Sequence, residues 1–207
     1  MMPIANNSKI TIIDYGAGNL KNLKNAFDFL KAPAEITNEI TRIKNATKMV
    51  LPGVGAFDFA MKNLKAQGLD EIILKKVQAG VPLFGICLGM QLLFTSSEEG
   101  GAVTGLNLIP GQVKRFQIQE KVPHIGWNTL IPKNDSPLIR ELPAEAYAYF
   151  VHSYHCVPTD ANHIVTETDY EIRFTSMVHK DNVMGAQFHP EKSQEVGLNI
   201  LQNFVEL

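Results

Sequence analysis

Residues 81–94 read VPLFGICLGMQLLF, and this stretch decides the fold. The apolar run at 81–86 is typical of a buried strand, and the residues after Cys87 have the apolar spacing of a helix. Gly85 and Gly89 flank the cysteine at the point where strand gives way to helix. Side chains on either side of so sharp a turn would collide, and glycines relieve that collision. The pattern therefore predicts a nucleophile elbow with Cys87 at its apex.

Cys87 is the candidate nucleophile. At the start of a helix, the helix dipole and the free N–H groups favour a thiolate, because its negative charge meets the positive end. The N–H of Leu88 is placed to donate to an oxyanion that forms beside the sulfur. The alternative is that Cys87 is a small buried apolar side chain, as free cysteines usually are. The flanking glycines favour the nucleophile, whereas Cys156 lacks such a setting and is predicted to be structural.

His189 is the candidate general base, which a cysteine nucleophile usually needs. It lies in the segment Phe188-His189-Pro190-Glu191. Pro190 restricts His189 to extended geometry, in which residues i and i+2 point to the same side. Glu191 is therefore expected beside the imidazole, where it would fix the tautomer. Taken alone, the segment could also be a strand end with solvated charges.

The other histidines are weaker candidates for chemistry. His152 and His155 are three apart in one predicted strand, so they are expected to face opposite sides. His163 and His179 lie near predicted turns and are expected to be exposed. The sequence contains no CxxC motif, no HExxH motif and no carboxylate cluster. No metal site and no cofactor are therefore expected.

A second glycine-rich turn, Pro52-Gly53-Val54-Gly55, follows the predicted strand at 49–51. Parallel strands end at one edge of a sheet, so the turn is predicted to lie beside Cys87. Glycines let the backbone approach a ligand closely, which makes Gly53 and Val54 candidate oxyanion donors. The turn lacks the Gly-Lys-Ser/Thr of a phosphate loop. The alternative is a plain strand–helix connection.

The chain as a whole, residues 1–207, is predicted to be one α/β domain. Its first half alternates apolar runs with helical spacing, which predicts a mostly parallel sheet with helices on both faces. From about residue 105 the segments are short and rich in Val, Ile, Tyr and Phe, which predicts an antiparallel β extension. Asp181-Asn182 suits a two-residue hairpin turn, and Ser193 is the expected N-cap of a closing helix.

The composition excludes several classes of protein. Hydrophobic residues make up 45% of the chain, which is too apolar for a disordered protein. A net charge of −2 gives no general attraction to nucleic acid or to an anionic membrane. No apolar run approaches the ~18 residues of a membrane span, and the N-terminus has no pattern of a secretory signal. Two cysteines cannot form a disulfide scaffold, so a reduced, cytoplasmic setting is expected.

Three motifs, PGVGAF, GICLGMQLLF and GAQFHPEKS, resemble in order and spacing those of the class I (triad) glutamine amidotransferases. DYGAGNLKNL, PHIGWN and YFVHSYH are similar, more closely, to the glutaminase subunits of imidazole glycerol phosphate synthases. The resemblance runs from about residue 9 to 206 and implies a class I glutamine amidotransferase-like fold. It implies that Cys87 attacks the side-chain amide of glutamine, that His189 is the base and then protonates ammonia, and that Glu191 orients His189.

The resemblance also implies how glutamine binds. Gln91 and Glu99 match the family positions that hold the α-amino and α-carboxylate ends of glutamine, and Gly55 is a further candidate substrate-binding residue. Gln91 lies one helical turn after Cys87 and so faces the same side. Glu99 rests on the resemblance alone, since its sequence context, Glu98-Glu99, is otherwise typical of exposed acids.

A partner is implied as well, because the ammonia of this family passes to a cyclase with a (β/α)8 barrel. The two subunits form a heterodimer that makes imidazole glycerol phosphate in histidine biosynthesis. Asn19, Trp127 and Tyr149 match family positions facing that partner. Trp127 is the only tryptophan, and tryptophans are enriched at interfaces, although a single one also commonly packs in a core.

Two alternatives stay open at the level of the motifs. One is a paralogous glutaminase subunit that feeds ammonia to a surface-sugar amidotransferase. The other is a stand-alone Cys-His hydrolase of the same fold, against which Glu191 and the PHIGWN segment argue. A binding subunit with a dead site is disfavoured because Cys87, His189 and Glu191 are all present.

Overall fold

The computed structural model describes residues 9–101 and 103–207. Residues 1–8, where no secretory signal is expected, and Ala102 lie outside the described residues. The first half alternates strands and helices, as the sequence predicts. Its elements are β1 (Ile10–Ile13), α1 (Leu20–Phe29), β2 (Ala34–Thr37), α2 (Ile40–Lys44), β3 (Lys48–Gly53), α3 (Phe57–Ala66), α4 (Leu69–Gln78), β4 (Leu83–Cys87), α5 (Leu88–Leu92) and β5 (Phe94–Ser97).

The second half consists mainly of strands and ends in one long helix. Its strands are β6 (Val103–Thr104), β7 (Ile109–Arg115), β8 (His124–Pro132), β9 (Ala146–His152), β10 (Tyr154–Pro158), β11 (Ile164–Tyr170), β12 (Ile172–Lys180) and β13 (Val183–Ala186), and the helix is α6 (Gln194–Glu206). Short 3-10 turns span Pro137–Ile139, Ala161–His163 and Pro190–Lys192. No helix among the described residues is long and apolar enough to cross a membrane.

Five parallel strands form the centre of the sheet, in the order β2-β1-β3-β4-β13. β13 pairs antiparallel with β12, and the sheet continues through β10, β7, β5 and β6. β11 pairs with β12 and with β8, and β8 forms an antiparallel hairpin with β9. The fold is thus the expected mostly parallel sheet with an antiparallel extension.

Helices cover both faces of the parallel core because its strands are apolar on both sides. Val50 of β3 belongs to the core that contains residues of α1 and α6, while Met49 and Leu51 belong to the core shared with α2, α3 and α4. Successive side chains of a strand point to opposite faces, so one short strand supplies both cores. The helices do not cover the edge formed by the carboxyl ends of the central strands, and the site lies at this edge.

Three local predictions can be compared with the structure. Asp181 and Asn182 do connect β12 to β13, with Asp181 at φ 53°. The helix after Cys87 is shorter than predicted, because Phe94 begins β5 and pairs with β7. Ser193 stands at the N-cap of α6, but its hydroxyl does not cap the helix. That hydroxyl donates to the carbonyl of His189 (2.7 Å) and accepts from the N–H of Tyr149 (2.9 Å).

Candidate active site

The elbow predicted from the glycine-flanked cysteine is present where β4 meets α5. Cys87 has φ 55° and ψ −111°, in the positive-φ region that non-glycine residues rarely adopt. A Cβ on Gly85 would lie 2.6 Å from the carbonyl oxygen of Gly89, and a Cβ on Gly89 would overlap the carbonyl oxygen of Leu51. The glycines therefore let α5 pack directly on β3, and the surrounding structure holds a backbone strain of about 1–3 kcal/mol at Cys87.

His189 and Glu191 lie at the same sheet edge as Cys87. β13 runs parallel to β4, and Ala186 pairs with Ile86, so both strands end side by side. His189 Nδ1 and Glu191 Oε1 are 2.8 Å apart, and both side chains are buried. His189 has the extended backbone expected before a proline, but the segment after it is a 3-10 turn rather than a strand. The turn brings Glu191 to the imidazole as predicted, by a different backbone path.

Burial and two neighbours control the protonation of His189. Burial lowers the pKa of the imidazole, but the Cys87 sulfur and the Glu191 carboxylate outweigh it and raise the pKa to about 10. Glu191 occupies Nδ1, and Nε2 is buried without a hydrogen-bond partner of normal geometry among the described residues. Nε2 is therefore the nitrogen that is available to hold and transfer a proton.

Two buried glutamines connect Cys87 to β10. Gln187 Nε2 lies 3.9 Å from the sulfur of Cys87, and Gln187 Oε1 accepts a hydrogen bond from Gln91 Nε2 (3.1 Å). Gln91 also donates to the carbonyl of Tyr154 (3.2 Å). Gln91 faces Cys87 as predicted, and both of these contacts are internal. Sequence reasoning missed Gln187, although the motif GAQFHPEKS contains it.

A cleft of about 310 Å³ opens over Cys87. The predicted residues that line it are Val54, Gly55, Cys87, Leu88, Gln91 and Glu99. The others, Pro123, Val151, His152, Ser153 and Tyr154, were missed as site residues. These residues lie in the motifs PHIGWN and YFVHSYH, which could have pointed to them but were interpreted in terms of the family and its partner and not of the cleft. The volume suits a small molecule of amino-acid size.

Glu99 lies at this cleft and is half-buried, rather than being a freely exposed acid. Its Oε2 accepts a hydrogen bond from the N–H of Phe57, the first residue of α3 (2.9 Å). Burial raises the pKa of the Glu99 carboxyl, the Phe57 N–H lowers it and Asp58 raises it. Glu99 lines the cleft, and an ammonium group is the natural match for a carboxylate.

The glycine-rich turn begins later than predicted. β3 continues to Gly53, which pairs with Cys87 in parallel register. Val54 is half exposed, and Gly55 has φ 107°, where an added Cβ would meet no atom within 4 Å. The backbone with freedom to rearrange is therefore Val54-Gly55, and Gly53 is held in the sheet. Leu88 opens α5, so its N–H belongs to the first turn of a helix, where N–H groups lack helical partners.

Tyr15 is a second residue that sequence reasoning missed. Its side chain is fully buried, and its hydroxyl has no hydrogen-bond partner among the described residues. A Cβ on Gly53 would overlap this hydroxyl, so Gly53 must be glycine for a packing reason. Burial raises the pKa of Tyr15, and Cys87 adds to the increase, so the phenol stays neutral.

His124 and His152 form a buried pair at the cleft, which His152 lines. His152 and His155 are not in one strand as predicted, because Ser153 separates β9 from β10. His152 Nδ1 donates to the carbonyl of Tyr154 (2.8 Å), so its Nε2 accepts from His124 Nδ1 (3.1 Å). Burial lowers the pKa of His124 to about 4 and that of His152 to about 3. Both rings are therefore neutral and have defined tautomers.

His163, His179 and Cys156 are not among the residues that line the cleft. His163 and His179 are half-buried rather than exposed, and His179 Nδ1 is 3.2 Å from the hydroxyl of Ser136. Cys156 is buried, and burial raises its pKa, in line with the structural role predicted for it. Within residues 9–101 and 103–207, no three His, Cys, Asp or Glu side chains are grouped so that they could hold a metal ion.

The three residues predicted to face a partner lie near the triad. Trp127 is 48% exposed, so it is not a core residue, and its ring meets that of Tyr149 edge-on at 6.0 Å across the β8–β9 hairpin. The carbonyl of Tyr149 accepts from the N–H of His189 (3.0 Å). Asn19 is exposed and caps α1 by accepting from the N–H of Asn22 (3.4 Å).

Comparison with known proteins shows the family of the chain. The family model described as glutamine amidotransferase class-I matches residues 11–207. Imidazole glycerol phosphate synthase subunit HisH of Moorella thermoacetica is 48% identical over 198 residues, which cover 96% of this chain and 94% of that protein. The subunit of the same name from Syntrophotalea carbinolica is 48% identical over 205 residues, covering 96% of this chain and all of that protein.

Solved structures share the fold at low sequence identity. PurLQS from Thermotoga maritima gives a TM-score of 0.75 at 17% identity, with 95% of this chain and 96% of that chain covered. A crystal structure of a glutamine amidotransferase gives 0.74 at 17% identity, with 94% and 98% covered. The mostly parallel α/β architecture is thus that of known amidotransferase structures.

Proposed function

Since the chain belongs to the class I glutamine amidotransferase family, we propose that it is the glutaminase subunit of an imidazole glycerol phosphate synthase and acts in histidine biosynthesis. It hydrolyses glutamine to glutamate and ammonia. The observation that carries this proposal is the meeting of Cys87, at a strained elbow, with the His189–Glu191 pair at one end of the sheet. The matched relatives are named as subunits of this synthase, and the sequence match covers nearly their whole length.

The proposed chemistry begins with the proton on His189. The sulfur of Cys87 attacks the carbonyl carbon of the glutamine side chain, and the carbonyl oxygen becomes an oxyanion. The N–H groups of Leu88 and of the Gly53–Val54 segment would donate to this oxyanion. His189 gives its proton to the departing nitrogen, so the C–N bond breaks, ammonia leaves, and a γ-glutamyl thioester remains on Cys87.

The second half-reaction returns the site to its starting state. Water attacks the thioester carbonyl while His189 takes a proton from it, which makes a second oxyanion. Collapse of this intermediate breaks the C–S bond, releases glutamate and leaves the thiolate beside protonated His189. Glu191 contributes by fixing Nδ1 and stabilising the charged imidazole, which is consistent with its hydrogen bond and its effect on the pKa.

The proposed substrate contacts lie in the cleft over Cys87. Gly55, Gln91 and Glu99 line the cleft beside Cys87, and we assign them to glutamine binding. The half-buried carboxylate of Glu99 suits the α-ammonium group of glutamine. Gln91 is tied to Gln187 and Tyr154, so it contributes mainly by shaping the cleft floor.

The proposed partner is a cyclase subunit with a (β/α)8 barrel, bound as a heterodimer in the cytoplasm. Asn19, Trp127 and Tyr149 are its proposed contacts. The rings of Trp127 and Tyr149 meet edge-on, and the backbone of Tyr149 is bonded to that of His189, which supports a partner surface on the strand next to the triad. We further propose that residues 1–207 form a single glutamine amidotransferase domain, which is supported by a family match over 11–207.

The proposal is tested with Cys87→Ala in complex with the cyclase. Glutamine hydrolysis should be lost, because no neighbouring group can form the thioester. Synthesis of imidazole glycerol phosphate from free ammonia should continue, because only the ammonia source is removed. Glutamate release by the variant complex would contradict the assignment of the nucleophile. Failure of wild-type chain to supply ammonia to the cyclase would contradict the assignment of the pathway.

A further inference from the structure

We propose that Gln187 is a positioning residue that holds the sulfur of Cys87 ready for attack, an inference that rests on the proposed function. Gln187 lies between β13 and His189, and its side chain is fully buried. Its Nε2 is directed at the sulfur from 3.9 Å. The two residues are 100 positions apart in the chain and meet only because β13 inserts next to β4.

The orientation of the Gln187 amide is determined by its neighbours. Gln91 Nε2 donates to Gln187 Oε1, and Gln91 itself is held by the carbonyl of Tyr154. Flipping the Gln187 amide would bring two NH₂ groups together and would turn its oxygen towards the sulfur. The backbone N–H of Gln187 is bonded to the carbonyl of Ser176 (2.9 Å). The NH₂ group of Gln187 is therefore the end that faces Cys87.

A donor at this position has a clear chemical use. A thiolate removed from water needs hydrogen-bond donors, and an amide N–H supplies one without adding a proton that could be lost. His189 is a second neighbour of the sulfur, and unlike the Gln187 amide it can transfer a proton. Gln187 is absent from the lining of the cleft, so it should influence the reactivity of Cys87 rather than the binding of glutamine.

The test replaces Gln187 by Met, which keeps the length and removes the donor. Wild type, Gln187→Met and a matched control, Ser176→Ala, are each assembled with the cyclase. Ser176 is equally buried, and its hydroxyl is hydrogen-bonded to that of Thr166. Loss of this hydroxyl therefore reports general damage to the same strands. Two rates are measured: alkylation of Cys87 by iodoacetamide near neutral pH, and glutamine hydrolysis over a range of glutamine concentrations.

Loss of one hydrogen bond to a charged group should slow alkylation and reduce kcat by about 10-fold, with KM little changed. Ser176→Ala should leave both rates near those of wild type. If Gln187→Met does not fold, Gln187→Asn keeps the amide but withdraws it by one methylene, and the same losses are expected. Wild-type alkylation and kcat in either folded variant would overturn this role for Gln187. Glutamine hydrolysis by Cys87→Ala would instead contradict the proposed function, and not only the role of Gln187.

Discussion

Replacing Gly53 by Ala should destabilise the chain, and Tyr15→Phe should restore much of the loss. Gly53 lies in β3, where alanine meets no backbone penalty. Its new Cβ would overlap the hydroxyl of Tyr15 and lie 3.1 Å from the Cβ of Leu88. The Tyr15 ring is fully buried and cannot swing into solvent, so the clash must displace β3, α5 or the ring itself.

The expected magnitude follows from the packing. Overfilling a well-packed core typically lowers the free energy of unfolding by about 1–3 kcal/mol. Because the surroundings of Gly53 are rigid, we expect a loss of about 2 kcal/mol for Gly53→Ala. Tyr15→Phe removes a buried hydroxyl that has no partner among the described residues, so it should be neutral or stabilise by up to about 1 kcal/mol. In the double variant the methyl group enters the space left by the hydroxyl. The coupling between the two changes should therefore be about 1–2 kcal/mol in favour of the pair.

Urea denaturation of wild type, both single variants and the double variant measures this coupling. Tyr170→Phe is the control, because its hydroxyl donates to the carbonyl of Lys121 (2.8 Å) and its loss should cost about 1 kcal/mol. A double variant whose destabilisation equals the sum of the single effects would refute the proposed clash. A loss of stability in Tyr15→Phe like that in Tyr170→Phe would show that the buried hydroxyl has a partner.

Four further predictions concern activity, pH and assembly. Glu191→Gln should reduce kcat less than His189→Ala, since Glu191 acts through the imidazole; kcat values in the reverse order would contradict these roles. The raised pKa of His189 stabilises the folded state fully below pH 6.5, and this stabilisation should be lost as the pH rises through about 10. Denaturation at a series of pH values measures the loss in the free energy of unfolding. His189→Ala should not show it. Trp127→Ala should weaken cyclase binding by on the order of 2 kcal/mol in a titration, and an unchanged affinity would mean that Trp127 is not a contact. Glutamate release should rise at least about 100-fold when the cyclase and its nucleotide ligand bind, because the Val54-Gly55 backbone would then complete the oxyanion hole. Equal rates with and without the partner would exclude this activation.

The parts of the fold that the sequence predicts are those encoded locally. A strand that supplies two cores needs apolar side chains on both faces, so residues 49–51 of β3 and 83–87 of β4 stand out as short apolar runs. The elbow is predictable because both flanking glycines are required by contacts within a few residues and with the adjacent strand. His189 and Glu191 are two residues apart, so their meeting needs only a local bend of the chain.

Contacts between distant segments could not be predicted in this way. The apolar run after Cys87 is consistent with a long helix, and only pairing with β7 determines that Phe94 begins a strand. The link of Gln187 to Cys87 depends on the order of strands in the sheet, and so does the position of Tyr15 against Gly53. Glu99 is one of two adjacent acids, and only the family resemblance singles it out in the sequence. In the structure, its hydrogen bond from the first N–H of α3 gives the physical difference from Glu98.

The position of β13 between β4 and β12 has a consequence for the folding of the newly made chain. β13 is the last strand in the sequence, so it enters the sheet after β4 has been made and must close a loop of roughly a hundred residues. Closing so long a loop is slow compared with forming the local strand–helix units of the first half. A chain still on the ribosome therefore carries Cys87 without its histidine, and cannot consume glutamine until the last strand is in place.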